Sequence, residues 1–165
     1  MYKILNAYDA NIGIPQVSAH CDIPCKIYDP MISLVAALSV VRLMDIMHET
    51  MESGDPTSIG AQNTIARCVI RKEEEAEKVK QEVRVTWGDY FKAPQIEQFP
   101  NIHELAHKIM MKASNCKQEV SREDGLQLVE LVNEFSTAFW KTKGIEVERK
   151  VSPYPPSLEI VYPVL

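Results

Sequence analysis

The chain has 165 residues, 45% of them hydrophobic and 25% charged, with a formal net charge of −5. That is about one domain's worth of chain, with enough apolar residues for a core. The acidic balance and the lack of a Lys/Arg run exclude a general nucleic-acid binder, four cysteines are too few for a disulfide scaffold, and no membrane span is expected, because no apolar stretch approaches the roughly 18 residues one needs.

Residues 1–19 do not read as an export signal. Asn6, Asp9, Asn11, Gly13 and Pro15 interrupt any apolar core, and Lys3 is the sole basic residue. Val17-Ser18-Ala19 is small or β-branched, as at a proteolytic cleavage site. The expectation is a leader or pro-segment that a maturation peptidase removes after Ala19, in a cytoplasmic protein.

The next stretch, His20-Cys21-Asp22-Ile23-Pro24-Cys25-Lys26-Ile27-Tyr28-Asp29-Pro30, concentrates the chemistry. It holds an imidazole, two thiols and a phenol directly before a helix start. Pro24 bends the segment between Cys21 and Cys25, so both sulfurs are within reach of one metal ion. His20 adds a nitrogen donor. Cleavage after Ala19 would free its α-amine as another.

Asp29-Pro30 reads as an N-cap and first-turn proline, opening a helix over about 30–53. Its apolar residues are Leu34, Leu38, Val41, Met44, Met47 and Met51, with Val35 beside Leu34. Gly54-Asp55-Pro56 stops it. A second helix runs from about 57 to 85 with Ile59, Ala66, Val69, Ile70, Ala76, Val79 and Val83 facing inward. Arg71-Lys72-Glu73-Glu74-Glu75 with Glu77-Lys78 reads as a solvated face containing pairs such as Glu74–Lys78.

Trp87-Gly88-Asp89-Tyr90-Phe91-Lys92-Ala93-Pro94 reads as an aromatic loop that plugs an end of the fold or an interface. A third helix spans about 101–115, with Asn101 and Glu104 as a capping box. It turns Ile102, Leu105, Ala106, Ile109, Met110 and Ala113 inward. A fourth runs from about 121 to 143, burying Leu128, Val129, Val132, Phe135 and Phe139, and ends at Gly144. The expected fold is all-α: an antiparallel four-helix bundle with a flexible N-terminal hook and a proline-rich extended C-terminal tail. The tail is 145–165, where Ile145–Glu148 alternates like a strand and Pro153, Pro155, Pro156 and Pro163 forbid a helix.

Two thiolates with nitrogen donors suit a soft or borderline metal. Neighbouring backbone and side-chain donors of His20 and Cys21 form small chelate rings, which favour a flat, four-sided set. That points to nickel or copper rather than tetrahedral zinc. Thiolates also stabilise a higher oxidation state, so a one-electron cycle is expected.

The segment His20-Cys21-Asp22-x-Pro24-Cys25-x-x-Tyr28-Asp29-Pro30 resembles the nickel hook of nickel superoxide dismutases. The resemblance continues in Ile70-x-Lys72-Glu73-Glu74-Glu75-Ala76, in Trp87-x-Asp89-Tyr90-Phe91-Lys92 and in Phe139-Trp140-x-x-Lys143-Gly144. It covers about residues 20–144, leaving 1–19 as leader and 145–165 as a C-terminal extension. It implies a bundle assembled as a homohexamer and a nickel ion cycling between Ni(II) and Ni(III). The implied metal ligands are the α-amine and imidazole of His20, the backbone nitrogen and thiolate of Cys21, and the thiolate of Cys25. Asp22 and Pro24 would shape the hook, and Tyr28 and Tyr90 would line the approach of superoxide. Two superoxide ions and two protons would give oxygen and hydrogen peroxide. Lys26 and Lys92 are candidates for attracting the anion.

Two rival readings stand beside this one. His103-Glu104-Leu105-Ala106-His107 matches the H-E-x-x-H zinc-peptidase pattern on a helix. A non-catalytic nickel-binding helical bundle is the other. Cys68 and Cys116 fall on or near helices and read as core or incidental thiols.

Overall fold

The computed structural model describes residues 26–165, so His20, Cys21 and Cys25 lie outside the described residues. The described chain is mostly helical. Helix α1 is Met31–Glu52, α2 is Ile59–Val85, α3 is Ala93–Gln98, α4 is Ile102–Gln118 and α5 is Arg122–Thr142. Strands β1, Val147–Val151, and β2, Glu159–Pro163, follow.

The Asp29 carboxylate accepts the Met31 N–H at 2.8 Å, and the Ser33 hydroxyl donates to the Pro30 carbonyl at 2.8 Å. The first bond satisfies an N–H that a helix start otherwise leaves unpaired; the second adds to the Leu34 N–H that the Pro30 carbonyl already accepts at 3.1 Å. Leu34, Leu38, Val41, Met44 and Met47 are buried as the periodicity predicts, while Val35 and Met51 stay exposed. One expectation needs correction: α1 is long and apolar enough by length and composition to cross a membrane. Half of its apolar window is buried within the fold, as in a core helix.

Helix α2 departs from its expected face. Its buried residues are Cys68, Lys72, Ala76, Val79 and Val83, whereas Ile59 and Ile70 are exposed. Lys72 therefore belongs to the inward stripe, not to the solvated run, and is only 1% exposed. Its ammonium donates to the carbonyls of Cys116, Lys117 (2.8 Å) and Glu119 (3.1 Å), at the C-terminal end of α4. Those carbonyls have no partner within their own helix, so a buried cation is stabilised where the helix dipole is negative. On the outer face Arg71, rather than Lys78, makes the ion pairs, reaching Glu74 at 2.6 Å and Glu75 at 3.0 Å.

The aromatic stretch is not a loop. Thr86–Tyr90 continues α2 as a single wide π-helical turn, and α3 follows with a proline in its first turn. Helix α4 starts without the predicted box: Asn101 makes no side-chain cap bond, and Glu104 pairs with Lys108 at 2.6 Å. A carboxylate one turn from an ammonium finds it at the i,i+4 spacing. Ser121 does cap α5, accepting the Asp124 N–H at 3.2 Å, and Gly144, at φ +70°, takes the left-handed step that ends it.

Helix α1 packs on α2 and α5, and α4 packs on α2 and α5, so each long helix has two long-helix neighbours. At Gly125 a Cβ would sit 3.0 Å from Val41 Cγ2 and 3.3 Å from Met44 Sδ, so a glycine lets α5 approach α1 closely. The tail folds back as an antiparallel hairpin with Val147 opposite Pro163 and Val151 opposite Glu159. Ile160 and Val161 are buried. The buried Asn133 on α5 grips β2, donating to the Glu159 carbonyl at 3.0 Å and accepting the Val161 N–H at 2.9 Å. Arg149 closes the contact with a two-pronged pair to Glu130.

Replacing Lys72 by Met strands three carbonyls at the end of α4. The loss should be about 2–4 kcal/mol, read as a lowered midpoint of urea unfolding. A pH effect also follows. Arg149 holds the Glu130 carboxyl below the ordinary glutamate range, so its stabilising effect is present above pH about 4.3 and is lost as pH falls through the lowered folded value. Protection of the Val161 amide, its exchange rate set against the unprotected rate at the same pH, should therefore fall on acidification below that range, and Glu130→Gln should remove this loss of protection.

Candidate metal centre and its aromatic wall

Tyr28 precedes the Asp29 bond that starts α1, so it is held at the mouth of that helix. Its ring lies 5.9 Å from the ring of Tyr90, tilted by 54°. The chain therefore brings Tyr28 and Tyr90 together, 62 positions apart in sequence. The metal-ligand candidates His20, Cys21 and Cys25 are outside the described residues and are joined to Tyr28 by a short segment. Its last described part begins with Lys26 in the left-handed region, at φ +60°, a conformation that costs a non-glycine residue roughly 1–2 kcal/mol.

Tyr90 is fixed from several sides. The π turn that ends at Tyr90 widens the backbone there, and Phe91, 3% exposed, anchors the turn in the core. Trp87 Nε1 donates to His103 Nδ1 at 2.9 Å, pinning the other side of the turn to α4. The Tyr90 ring packs 4.7 Å from Phe139 and edge-on to Phe91 at 5.3 Å. Lys143 Nζ sits 5.0 Å from the ring centres of both Tyr90 and Phe139. A cation over an aromatic face at an exposed site is worth about 0.5–1 kcal/mol.

The Tyr90 hydroxyl lies 2.7 Å from Thr142 Oγ1. Thr142 has one hydroxyl proton, and it goes to the Phe139 carbonyl at 2.6 Å. Tyr90 must then be the donor to Thr142. Its proton points to α5, which leaves its oxygen able to accept a further hydrogen bond. Sequence reading found Tyr90 but not Thr142 or Lys143 as its partners; the clue was their place at the end of the aromatic helix segment Phe139-Trp140.

Among the described residues no cluster of three His, Cys, Asp or Glu side chains is placed to hold a metal. Cys68 and Cys116 are both buried and free. Burial raises both thiol pKa values, that of Cys116 to about 11, so they remain protonated and poor ligands at neutral pH. The H-E-x-x-H reading fails on local chemistry. With its Nδ1 lone pair taken by the Trp87 N–H, a neutral His103 carries its proton on Nε2 and has no free lone pair for zinc. Glu104 is paired with Lys108, which holds its carboxyl below the usual range.

A family model described as nickel-containing superoxide dismutase matches residues 15–143, a span that includes the hook segment, Tyr28 and Tyr90. The chain is 33% identical over 127 residues to "Superoxide dismutase [Ni]" of Streptomyces coelicolor, covering 77% of this chain and 90% of that one. It is 32% identical over 128 residues to the protein of the same name from Streptomyces seoulensis, covering 78% and 91%. Its fold matches the native structure of a nickel superoxide dismutase with a TM-score of 0.66 at 30% identity, over 76% of this chain and 99% of that one. An apo structure of a nickel superoxide dismutase matches with a TM-score of 0.63.

If α4 carries no metal ligand, His107→Ala should retain the parent's full metal content by elemental analysis. Loss of metal in that variant would return α4 to the site.

Proposed function

This chain belongs to the nickel-containing superoxide dismutase family, and we propose that its nickel is held by His20, Cys21 and Cys25 beside the Tyr28–Tyr90 wall. It is a nickel-dependent superoxide dismutase. The observation that carries the site assignment is the continuity of the donor segment with Tyr28, whose ring meets Tyr90 at 5.9 Å.

The donor set fits the metal. Two thiolates and nitrogen donors suit nickel, while the described cysteines are buried, protonated thiols. The ligands would be the α-amine and imidazole of His20, the backbone nitrogen and thiolate of Cys21, and the thiolate of Cys25. When bound, the nickel supplies a one-electron couple, Ni(III)/Ni(II). One superoxide gives up an electron and leaves as oxygen; a second takes an electron and two protons and leaves as hydrogen peroxide.

The protein's own groups shape the approach. Tyr28 and Tyr90 narrow the way to the donors, and the Tyr90 hydroxyl accepts hydrogen bonds from water or from the protonated product. It does not supply the protons while Thr142 holds its own. The bulk charge of −5 repels the anionic substrate, so attraction must be local. Lys92 is a weakened candidate for that role, because its ammonium donates to the Gly88 carbonyl at 2.7 Å. Lys26 is exposed beside the donor segment.

The finer architecture belongs to the same proposal. A peptidase cleaves after Ala19 and frees the α-amine of His20. The four long helices form the antiparallel four-helix bundle, and 145–165 is an extension braced by Asn133. Exposed Ile32 and Val35 on α1 support association into the homohexamer.

Cys25→Ser replaces a thiolate by a hydroxyl that stays protonated. Groups that merely orient a ligand contribute 10–100-fold, so losing this ligand should cut superoxide consumption by at least about 100-fold, with loss of nickel. Cys68→Ser should keep both. Nickel retained in Cys25→Ser would remove that residue from the site.

A further inference from the structure

The end of α5 meets Tyr90 with two consecutive residues, and only the first is a hydrogen-bond partner. Thr142 takes the Tyr90 proton. Lys143, next along, is exposed and stands over the same ring at 5.0 Å. Most other cations near the long helices are neutralised. Arg42, Arg71, Arg84, Lys108, Lys112, Lys117 and Arg122 sit in ion pairs. Lys72 and Lys92 are spent on backbone carbonyls. Among the described residues the Lys143 ammonium has no carboxylate within ion-pair distance, and its contacts there are the faces of Tyr90 and Phe139.

We propose that Lys143 is the cation that draws superoxide to the Tyr28–Tyr90 wall. The inference rests on the functional reading above and adds to it the residue that overcomes the protein's net negative charge. A positive charge on an aromatic face keeps its outer hemisphere open to solvent, because the ring offers no proton acceptor that would close around it. An incoming anion therefore meets an uncompensated charge held in place by Tyr90 and Phe139. Thr142 matters here as a positioning residue: by fixing the Tyr90 hydroxyl it fixes the ring beneath the ammonium. With its proton donated to Thr142, the Tyr90 hydroxyl offers an incoming anion no donor, so a neighbouring cation is what makes that wall acceptable to superoxide.

The test compares nickel-loaded parent, Lys143→Gln and Lys143→Arg, with superoxide decay followed after pulse radiolysis at low and at physiological ionic strength. Local steering charges change encounter rates by tenfold or more in favourable cases; for one exposed lysine the expected loss in Lys143→Gln is about threefold to tenfold at low salt. Its rate should also depend less on salt than the parent's, with nickel content unchanged, and Lys143→Arg should keep the parent's rate and salt slope. Three results overturn the inference: a Lys143→Gln rate and salt slope equal to the parent's, a loss of rate that is the same at all salt concentrations, or a loss that follows nickel content. An inactive nickel-loaded parent would instead overturn the functional reading itself.

Discussion

The ring of Tyr90 is where the parts of this molecule meet. Tyr28 reaches it from the segment proposed to carry the metal donors, Phe91 from the core, and Phe139, Thr142 and Lys143 from the last helix. A phenol suits such a joint. Its faces pack against aromatics and a cation while its hydroxyl finds a partner. The π turn makes the arrangement possible, because one extra residue per turn at Thr86–Tyr90 re-aims the side chains that follow α2. The helices behind it hold the ring at a fixed place relative to the start of α1.

A second constraint explains where the metal chemistry can sit. Thiolates survive where they are solvated or metal-bound, and the two buried cysteines are neither. Among the described residues this helical core holds no cluster of three His, Cys, Asp or Glu side chains placed for a metal. The proposed donors lie on the segment that precedes the first helix, and in that proposal the folded part supplies a wall and a local charge. The His103–His107 pair illustrates the converse. Its spacing is right for a metal, yet one indole N–H occupies the ring nitrogen that would have to orient it.

Much of this was legible in the sequence, for identifiable reasons. The Asp29 start, the Ser121 cap and the Gly144 stop are local signals, and local signals do not depend on which elements pack together; His20, Cys21 and Cys25 lie outside the described residues. The buried stripe of α1 followed from periodicity. Lys72 did not, because a lysine inside a charged run looks solvated until three carbonyls of another helix surround it. The face of α2 was misread for the same reason: counting only apolar residues put Ile59 and Ile70 inside, when the stripe runs through Lys72. Asn101 looked like a cap, but Glu104 found Lys108 first. The hairpin of the tail was hidden by its prolines; its partner strand and the Asn133 grip are long-range, and no pattern within 145–165 states them. Thr142 became meaningful only when a single proton had to be assigned among three oxygens.

The free α-amine proposed for His20 has a direct test. The measurement is nickel bound per chain and superoxide consumed, made on the full-length chain and on protein trimmed to begin at His20. If that amine is a ligand, the trimmed protein should bind one nickel per chain and consume superoxide rapidly, and the full-length chain should do neither. Equal nickel binding and equal activity in both, or no nickel in the trimmed protein, would contradict it.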